Sequence, residues 1–378
     1  MAAGTNNTIP FITAAVVNYN GERLLDACLR SLAAQEGVRL ELLFMDNASS
    51  DNSIHFVRTH FPQARIVANA KNLGYNAALN QAVDLMQGDY LLALNTDIHL
   101  EPDYCARLAD SIMRHRARKC GYAQGKIKFM KEDGERTNRF YSTGHLFCPN
   151  RIVYNRGSGQ EDAGQYDREE RIPGANAACL LLSHKMLEDM RTDVGVFDPL
   201  FFMYGGDVDF DWLAYLRGWT AWYCPEALAY HVGEASSAIS KMGFDAPFIN
   251  CRFLMMIKND RLLDVLIDLP RLVKRNLQDV WNMTRRNPSL AWRLPVHLIR
   301  NVAPALRSRR ATRHLRQSTA LRPRDWMKWS LRLLQGSALA KPASRNGSVK
   351  KREGVPVPQE TTPHLHPGRR RQTPDHDR

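Results

Sequence analysis

The repeat of short apolar segments, each followed by a polar turn and an amphipathic segment, is the feature that most constrains the fold. Four apolar segments precede Ile98, with the sequences FITAAVVN, LELLFMD, ARIVAN and DYLLALN. Apolar runs of this length with little alternation are typical of strands that are buried on both faces. Segments between them, such as GERLLDACLRSLAAQ, place apolar residues at helical spacing. The sequence therefore predicts a doubly wound α/β fold with a mostly parallel sheet.

Polar clusters follow the predicted strands at the point where each strand ends. These clusters are NYNG at 18–21, DNASSD at 46–51, KNLGYN at 71–76 and NTD at 95–97. Because ligands of open α/β sheets bind beyond the carboxyl ends of the strands, the clusters predict a site of nucleotide size. Asp46 can accept a hydrogen bond from a ribose hydroxyl or a base N–H. Asp97 can bind a divalent metal, Mg²⁺ or Mn²⁺, that bridges a diphosphate.

A run of alternating acids in the segment GGDVDFDW supplies further candidate chemical groups. Asp207, Asp209 and Asp211 carry like charges whose proximity is costly unless a cation or a reacting proton is nearby. On a helix, Asp207 and Asp211 would share a face and Asp209 would not. Further along, His231 ends the apolar segment TAWYCPEALAYHVG, which we interpret as a pair of strands around Pro225. A histidine at that point could complete a metal site or bind a phosphate.

Seven motifs, taken in order, resemble a known family of enzymes. They are NYN, DNASSD, NLGYNAALNQ, LLALNTD, PGANAACLLLSHKML, GVFDPLFFMYGGDVDFDWLAYLRGW and AYHVG. The order is similar to that of the family-2 inverting glycosyltransferases, and within them to the rhamnosyltransferase-like branch that builds bacterial surface polysaccharide. The resemblance extends from Ile12 to Asn259. It implies a GT-A fold, the fold of nucleotide-diphospho-sugar transferases, for residues 11–259, after an N-terminal leader of residues 1–10.

The resemblance also implies roles for particular residues. Asp97 ends the motif that corresponds to the family's metal-binding DxD, and His231 matches a histidine that binds the metal in related enzymes. Asp207 takes the place of the catalytic base, although Gly206 stands where the family has a glutamate. The donor-binding residues would be Asn18, Asn20, Asp46, Asn72, Gly74, Asn95 and Thr96. The acceptor-binding residues would be Gly174, Asp209 and Trp212.

The reaction that the resemblance implies is a metal-dependent, inverting transfer of a sugar. The donor would be a nucleoside-diphosphate sugar, dTDP- or UDP-linked, and the sugar would be rhamnose or another hexose. Asp207 would take the proton of an acceptor hydroxyl as that hydroxyl attacks the anomeric carbon. The acceptor would be a growing surface glycan, linked to a polyprenyl lipid.

Two other functions remain open from the sequence. One is a catalytically silent sugar-nucleotide-binding or scaffold protein, which Gly206 favours because the family's glutamate is missing. The other is a nucleotidyltransferase, which also places acids at the ends of parallel strands. Its usual Gly-rich loop with Lys or Arg is absent from NYNGERLL.

The C-terminal third is strongly basic, and the whole chain has a formal net charge of +13. Residues 260–340 show the pattern of amphipathic helices broken at Pro270 and Pro288, and residues 341–378 have the composition of a disordered tail. Tryptophans beside Lys and Arg predict a peripheral contact with a membrane. They are Trp281, Trp292, Trp326 and Trp329. A helical extension that merely packs on the catalytic domain is the alternative.

Other features of the composition bear on location and on metal chemistry. The chain has no long uninterrupted apolar run and no basic segment before its first strand, so we expect neither a membrane-spanning helix nor a signal peptide. No nucleic acid is expected as a partner, because no recognisable binding module accompanies the basic charge. The seven cysteines form no CxxC pair, which disfavours zinc. We therefore expect a cytoplasmic protein, peripheral at the inner face of the cell membrane.

Each candidate residue also has a purely structural interpretation. Asp97 could cap the helix that follows it, and Asp207 could cap a helix whose other acids are solvated. His231 could be a hydrogen-bonded surface histidine, and Trp212 is expected in the core or wall more than against a sugar. The Gly-rich segment 131–171 could be a long loop or a hairpin over one face of the sheet.

Overall fold

The computed structural model of the protein describes residues 9–233, 245–286, 288–316 and 322–339. All of these residues lie in the unit Met1–Pro342. The leader predicted for residues 1–10 lies outside them apart from Ile9 and Pro10. The tail predicted for residues 341–378 lies outside them entirely.

The first half of the chain forms the parallel βαβα unit that the apolar segments predict. Its elements are β1 Phe11–Asn18, α1 Glu22–Ala33, β2 Arg39–Asp46, α2 Ser53–His60, β3 Arg65–Ala68, α3 Tyr75–Leu85 and β4 Tyr90–Asn95. The strands lie in the order β3-β2-β1-β4. Each pairs in parallel with its neighbour, so the carboxyl ends of all four meet at one edge of the sheet.

The following elements complete a mixed sheet. They are β5 Ile98–Leu100, α4 Tyr104–Arg114, β6 Cys120–Met130, β7 Arg136–Ser142, β8 His145–Phe147, β9 Val153–Asn155, β10 Glu170–Ile172, β11 Cys179–Ser183, α5 His184–Asp189, α6 Gly206–Arg217 and β12 Thr220–His231. The main path of the sheet is β10-β12-β6-β11-β4-β1-β2-β3, while β5 pairs with β12 and β7 with β6. β11 is antiparallel to both its neighbours, whereas β12 is parallel to β6. The predicted α/β fold with a mostly parallel sheet is confirmed.

The core lies on both faces of this sheet because successive strand residues point to opposite sides. Val16 and Leu94 of the central strands pack with Leu29 of α1 in one apolar cluster. Ala15, on the other face of β1, belongs to a second cluster with Leu79 of α3. The strands are therefore buried on both faces, as their continuous apolar runs predict.

Two local predictions about the sheet need correction or refinement. The segment TAWYCPEALAYH forms the single strand β12, not a pair of strands. Its register with β6 shifts between Cys224 and Leu228, and Pro225 lies in this irregularity, where its missing N–H costs no ladder bond. The segment 131–171 is more ordered than a long loop, because it contains β7 to β10 and forms a hairpin with β6.

The C-terminal helices are α7 Asp245–Asn259, α8 Leu262–Arg286, α9 Pro288–Ala311 and α10 Pro323–Leu339. The predicted break at Pro270 is wrong, because α8 continues through it. Asp268 and Asp279, on either side of this proline, are buried in ion pairs with Arg151 and Arg252, which hold both halves of the helix on the domain. Within the described ranges, no helix is both long and apolar enough to span a bilayer.

The tryptophans of the C-terminal helices have different surroundings. Trp326 is buried and packs on Phe147 of β8, with ring centroids 3.9 Å apart. Trp329 is half-buried, so neither side chain of α10 offers the membrane-facing tryptophan that the sequence predicts. Trp281 is 63% exposed. The side chain of Trp292 lies outside the described residues.

Candidate active site

Asn18 and Asp46 end β1 and β2 and lie side by side in the sheet. Asn18 Nδ2 donates hydrogen bonds to Asp46 Oδ1 at 2.9 Å and to Ser49 Oγ at 3.0 Å. The other oxygen of Asp46 accepts a hydrogen bond from the N–H of Ser49 at 2.9 Å. Both predicted donor-binding side chains are buried, and they fix the turn that follows β2.

Asn20 joins this turn to the turn that follows β1. Its backbone has a left-handed conformation with φ of 54°, which asparagine tolerates better than most residues. Its Oδ1 accepts a hydrogen bond from the N–H of Ser50 at 2.8 Å. Asn20 is exposed at the edge of the sheet, so of the first two predicted donor-binding asparagines it is the one that a ligand could reach.

Asn72 and Gly74 shape the start of α3. Asn72 Oδ1 accepts a hydrogen bond from the N–H of Gly74 at 2.9 Å. Gly74 has φ of 84°, and a Cβ there would overlap the carbonyl oxygen of Phe202, which accepts a bond from the N–H of Tyr75 at 2.8 Å. The motif therefore docks α3 against the segment that precedes α6. A donor contact by either residue remains a prediction.

Asn95 and Thr96 bring the end of β4 to the same edge. The N–H of Asn95 donates to the carbonyl of Ala178 at 2.9 Å, which ties the strand end to the segment before β11. Thr96 is almost buried, and a Cβ built on Gly21 would lie 3.1 Å from its hydroxyl oxygen. The glycine of NYNG therefore allows β1 and β4 to end close together.

Asp97 and His231 form a buried pair at the ends of neighbouring strands. Asp97 Oδ1 and His231 Nε2 are 3.0 Å apart, and the N–H of Val232 donates to the carbonyl of Asp97 at 3.0 Å. Asp97 is 3% exposed and His231 is 5% exposed. The second carboxylate oxygen of Asp97 and Nδ1 of His231 are buried without a hydrogen-bond partner among the described residues.

The donor set of this pair fits a divalent cation. A buried carboxylate oxygen without a partner is costly, and a bound cation would satisfy it. Within the described residues no group of three or more His, Cys, Asp or Glu side chains is placed to hold a metal. Mg²⁺ and related ions commonly take only one or two protein ligands and complete their shell with phosphate oxygens and water. The two predicted metal ligands are therefore sufficient only together with a phosphorylated ligand.

Asp207 lies in the first turn of α6, where the helix dipole favours a negative charge. Its side chain is 20% exposed, so it is accessible from solvent. The N–H of Ala177 donates to its Oδ2 at 3.4 Å. A positioned, accessible carboxylate of this kind can accept a proton from a bound hydroxyl.

Gly206 is fixed by its surroundings. A Cβ at this position would overlap the side-chain amide of Asn76 in α3. That amide is almost buried and donates a hydrogen bond to the carbonyl of Asp198 at 2.8 Å. The glutamate that the family resemblance leads one to expect has no room here.

Two tyrosines lie near both Asp97 and Asp207. The ring of Tyr141 stands edge-on to that of His231, with centroids 4.2 Å apart. Burial and the charges of Asp97 and Asp207 raise the pKa of Tyr141. Burial and the same two carboxylates also raise the pKa of Tyr75. The predicted metal ligand and the predicted base therefore lie within electrostatic reach of the same side chains.

His145 and Asp211 are a buried pair that the sequence analysis did not place in the site. His145 Nδ1 and Asp211 Oδ2 are 2.7 Å apart. Tyr122 OH and the N–H of Ala175 donate to the other oxygen of Asp211, at 2.9 Å and 3.1 Å. The contact joins residues that are far apart in sequence, so no local pattern in YSTGHLF could have revealed it.

The three predicted acceptor-binding residues have structural roles in this structure. Asp209 is 1% exposed and forms an ion pair with Lys258 at 2.5 Å, so it is not available to a ligand. Trp212 is buried in an apolar cluster with Trp326. A Cβ on Gly174 would overlap the carboxylate of Asp211, so this glycine permits close packing against α6. Acceptor binding by Asp209 and Trp212 does not fit their burial.

Comparisons with known proteins indicate the class to which this fold belongs. The structure is similar to that of GalNAc-T7 crystallised with UDP, GalNAc and Mn²⁺, with a TM-score of 0.53 and 12% identity over 68% of this chain and 48% of that one. The chain has the GT-A fold. The model of the family described as "Glycosyl transferase family 2" matches residues 13–191, from β1 to beyond α5, which is just under half of the chain.

Curated relatives match over limited stretches. Chondroitin synthase of Escherichia coli is 27% identical over 127 residues, which are 33% of this chain and 18% of that protein. Succinoglycan biosynthesis protein ExoO of Rhizobium meliloti is 29% identical over 139 residues, 36% of this chain and 39% of that protein. Glycosyltransferase GlyA of Streptococcus pneumoniae is 28% identical over 186 residues, 49% of this chain and 26% of that protein. The match spans less than half the length of each of these relatives.

Proposed function

We propose that the protein is a metal-dependent, inverting glycosyltransferase that acts in the biosynthesis of a surface polysaccharide. The observation that carries this proposal is the presence of two acids near the same tyrosines. Asp97 is buried and one of its oxygens has no partner among the described residues, and Asp207 is accessible at the start of α6. Asp97 lies within residues 13–191, which the glycosyl transferase family 2 model matches, and Asp207 follows this stretch in the same GT-A fold. Relatives named for chondroitin and succinoglycan synthesis support the polysaccharide assignment.

The donor in this proposal is a nucleoside-diphosphate sugar, linked to dTDP or UDP. Rhamnose is the proposed sugar, from the branch that the motifs resemble, with another hexose as the alternative. The exposed Asn20 and the backbone around Asn95 and Thr96 would contact the nucleotide in this proposal. Asp46 acts chiefly by holding the turn that carries Ser49.

Asp97 and His231 would hold a divalent metal, Mg²⁺ or Mn²⁺, together with oxygens of the donor diphosphate. When bound, such a metal neutralises the negative charge of the departing nucleoside diphosphate. Asp207 would then carry out the proton transfer. Asp207 accepts the proton of the acceptor hydroxyl while the oxygen forms a bond to the anomeric carbon. The bond from that carbon to the diphosphate breaks on the opposite face, so the configuration inverts.

We also propose that the acceptor is a polyprenyl-linked glycan and that the protein is peripheral at the inner face of the cell membrane. The supporting observation is an exposed apolar surface on α8 and α9. Its side chains are Leu262, Leu263, Leu266, Ile267, Leu269, Val273, Leu277, Val280 and Trp281 of α8, and Val296, Ile299, Val302 and Leu306 of α9.

The charges of these helices complement an anionic lipid surface. All three acids of α8, which are Asp264, Asp268 and Asp279, are buried, and the sequence of α9 has none. The exposed charges of α8 are basic, as at Arg271 and Lys274. Apolar side chains flanked by cations bind the interface of membranes that contain anionic lipids.

Sedimentation with lipid vesicles tests the membrane proposal. The wild type should sediment with vesicles that contain phosphatidylglycerol, and binding should weaken at high salt. The double variant Leu266→Ser, Ile299→Ser should bind at least about tenfold more weakly, since two exposed apolar side chains are lost. Met113→Ser, which changes an exposed apolar residue on α4, is the matched control. Equal binding by the double variant and the control would refute the proposed surface.

Titration of the protein with a panel of sugar nucleotides, with and without Mn²⁺, tests the function. One donor should bind only with the metal and should be turned over in the presence of membrane lipid extract. Asp207→Asn should keep donor binding and lose turnover by about a hundredfold or more, because it removes the base. Asp110→Asn, at an exposed acid on α4, is the control.

The outcomes separate the candidate functions. Binding without turnover by the wild type would indicate the catalytically silent sugar-nucleotide-binding protein that Gly206 suggests. Transfer of a nucleotidyl group to a sugar phosphate would indicate a nucleotidyltransferase. If no donor binds, the assignment of this region as a donor-binding site is wrong.

A further inference from the structure

We propose that His145 is a positioning residue for the base, and that its imidazolium forms a charged bridge between Asp207 and the buried Asp211. The inference rests on the proposed function of Asp207. It assigns to β8 a part in the active site that the family motifs do not contain, since none of the seven motifs includes His145.

The geometry of α6 and β8 places the ring between the two acids. Asp207 and Asp211 are four residues apart and therefore share a face of α6. His145 Nδ1 lies 2.7 Å from Asp211 Oδ2, and Nε2 lies 3.6 Å from Asp207 Oδ2. The side chains of His145 and Asp211 are 4% and 0% exposed, whereas that of Asp207 is 20% exposed. The bridge thus runs from the fully buried Asp211 to the partly exposed Asp207.

The hydrogen bonds of Asp211 determine which ring nitrogens carry protons. Tyr122 OH and the N–H of Ala175 both donate to Oδ1 of Asp211, so this carboxylate acts as an acceptor. When Asp211 is ionised, Oδ2 is an acceptor as well, so Nδ1 of His145 donates to it. A neutral ring would present the lone pair of Nε2 to the carboxylate of Asp207, which is repulsive. A proton on Nε2 makes the same contact attractive, so the arrangement favours the doubly protonated ring.

The electrostatic surroundings act in the same direction. Burial alone would lower the pKa of His145, but the hydrogen bond to Asp211 and the charges of Asp207 and Asp211 raise it above its usual value. Burial raises the pKa of Asp211 to about 6, although the bond to His145 opposes this, so the carboxyl is mainly ionised at neutral pH. Among the described residues, Tyr122 of β6 is the further titratable group of this cluster, and it reaches the ring through Asp211.

The bridge also provides Asp207 with a contact in a chain that has Gly206 in place of the family's glutamate. Gly206 precedes the base because the amide of Asn76 fills the space that a side chain would need. Support for the base from the preceding position is therefore absent in this chain. His145 supplies a contact to Asp207 from a different element and leaves the exposed side of the carboxylate free for a hydroxyl.

Kinetics of the variant His145→Gln test the positioning role. The turnover number should fall about tenfold to a hundredfold, because a base that is misplaced by a fraction of an ångström loses much of its effect. The KM for the donor should stay within about twofold, because the donor binds at Asp97, which His145 does not contact. The wild-type rate should decline on the alkaline side as His145 loses its proton, and this decline should be absent from His145→Gln. His184→Gln, at a partly exposed histidine of α5, is the matched control.

A titration of the wild type by ¹⁵N nuclear magnetic resonance tests the charge directly and needs no substrate. The His145 ring should be an imidazolium at pH 7, and Asp211→Asn should shift its titration to lower pH. A neutral ring at pH 7, an unchanged turnover number in His145→Gln, or an alkaline decline that persists in this variant would each overturn the proposal. Thermal unfolding verifies that both variants fold. If the wild type turns over no donor, the proposed function fails, while the titration still decides whether the bridge exists.

Discussion

Gly206 is a position where one added methyl group should disturb the candidate active site. A Cβ there would overlap the side-chain amide of Asn76. Asn76 is 3% exposed, and its Nδ2 donates to the carbonyl of Asp198 at 2.8 Å. The amide cannot move away without breaking this buried hydrogen bond. Gly206→Ala should therefore destabilise the fold, although its helical position would otherwise favour alanine.

The size of the destabilisation follows from one effect that favours alanine and two effects that oppose it. Helix propensity favours alanine over glycine by about 1 kcal/mol. Overpacking costs about 1–3 kcal/mol. Loss of the partner of a buried polar group costs a further 1–3 kcal/mol, roughly. The free energy of unfolding should therefore fall by about 1–5 kcal/mol in Gly206→Ala.

A double-mutant cycle in urea unfolding measures the contact. Asn76→Ala removes the obstructing amide, so Gly206→Ala should become neutral or stabilising in that background. A wild-type unfolding free energy for Gly206→Ala would refute the reasoning. An equal loss of stability in both backgrounds would also refute it, because the cost would then have another origin.

Three further changes test other contacts, and an unchanged value in any of them would contradict the contact concerned. Asp97→Asn should lose Mn²⁺-dependent donor binding in calorimetry, because a neutral amide is a poorer ligand than a carboxylate for a hard cation. Lys258→Met should lower the free energy of unfolding by about 3–5 kcal/mol, because it leaves two buried carboxylates without their cation, whereas the exposed Lys328→Met should not. The stability difference between wild type and His145→Gln should shrink from pH 6 to pH 9 in urea unfolding. The pKa of His145 is raised in the folded state, so its contribution is present at low pH and lost as the pH rises through that value.

The sheet could be predicted from the sequence because each strand has a recognisable local pattern. FITAAVVN and DYLLALN are continuous apolar runs, and their ends place Asn18 and Asn95 at one edge of the sheet. The same local logic placed Asp97 at the end of β4. Its pairing with His231 required the family resemblance, since β12 lies far along the chain.

The missed features depend on contacts between distant segments. His145 lies in a segment whose sequence is typical of a polar loop. Its contact with Asp211 forms only when β8 packs against α6. Pro270 looks like a helix break, but ion pairs of its neighbours with the domain keep α8 continuous. Trp326 looks like a membrane anchor, but Phe147 and Tyr215 cover it. In each case tertiary packing decides against the local pattern.

The run of three alternating acids in α6 illustrates how the structure assigns separate roles to similar residues. Three close carboxylates would repel one another, but the helix directs Asp209 away from the other two, and two of the three have buried partners. Asp209 is neutralised by Lys258 of α7, and Asp211 is bonded to His145 of β8. Only Asp207 keeps an exposed side, at the helix terminus where its charge is favoured. The two buried acids therefore anchor α6 to the rest of the domain, and that anchoring holds Asp207, the proposed base, at the start of the helix.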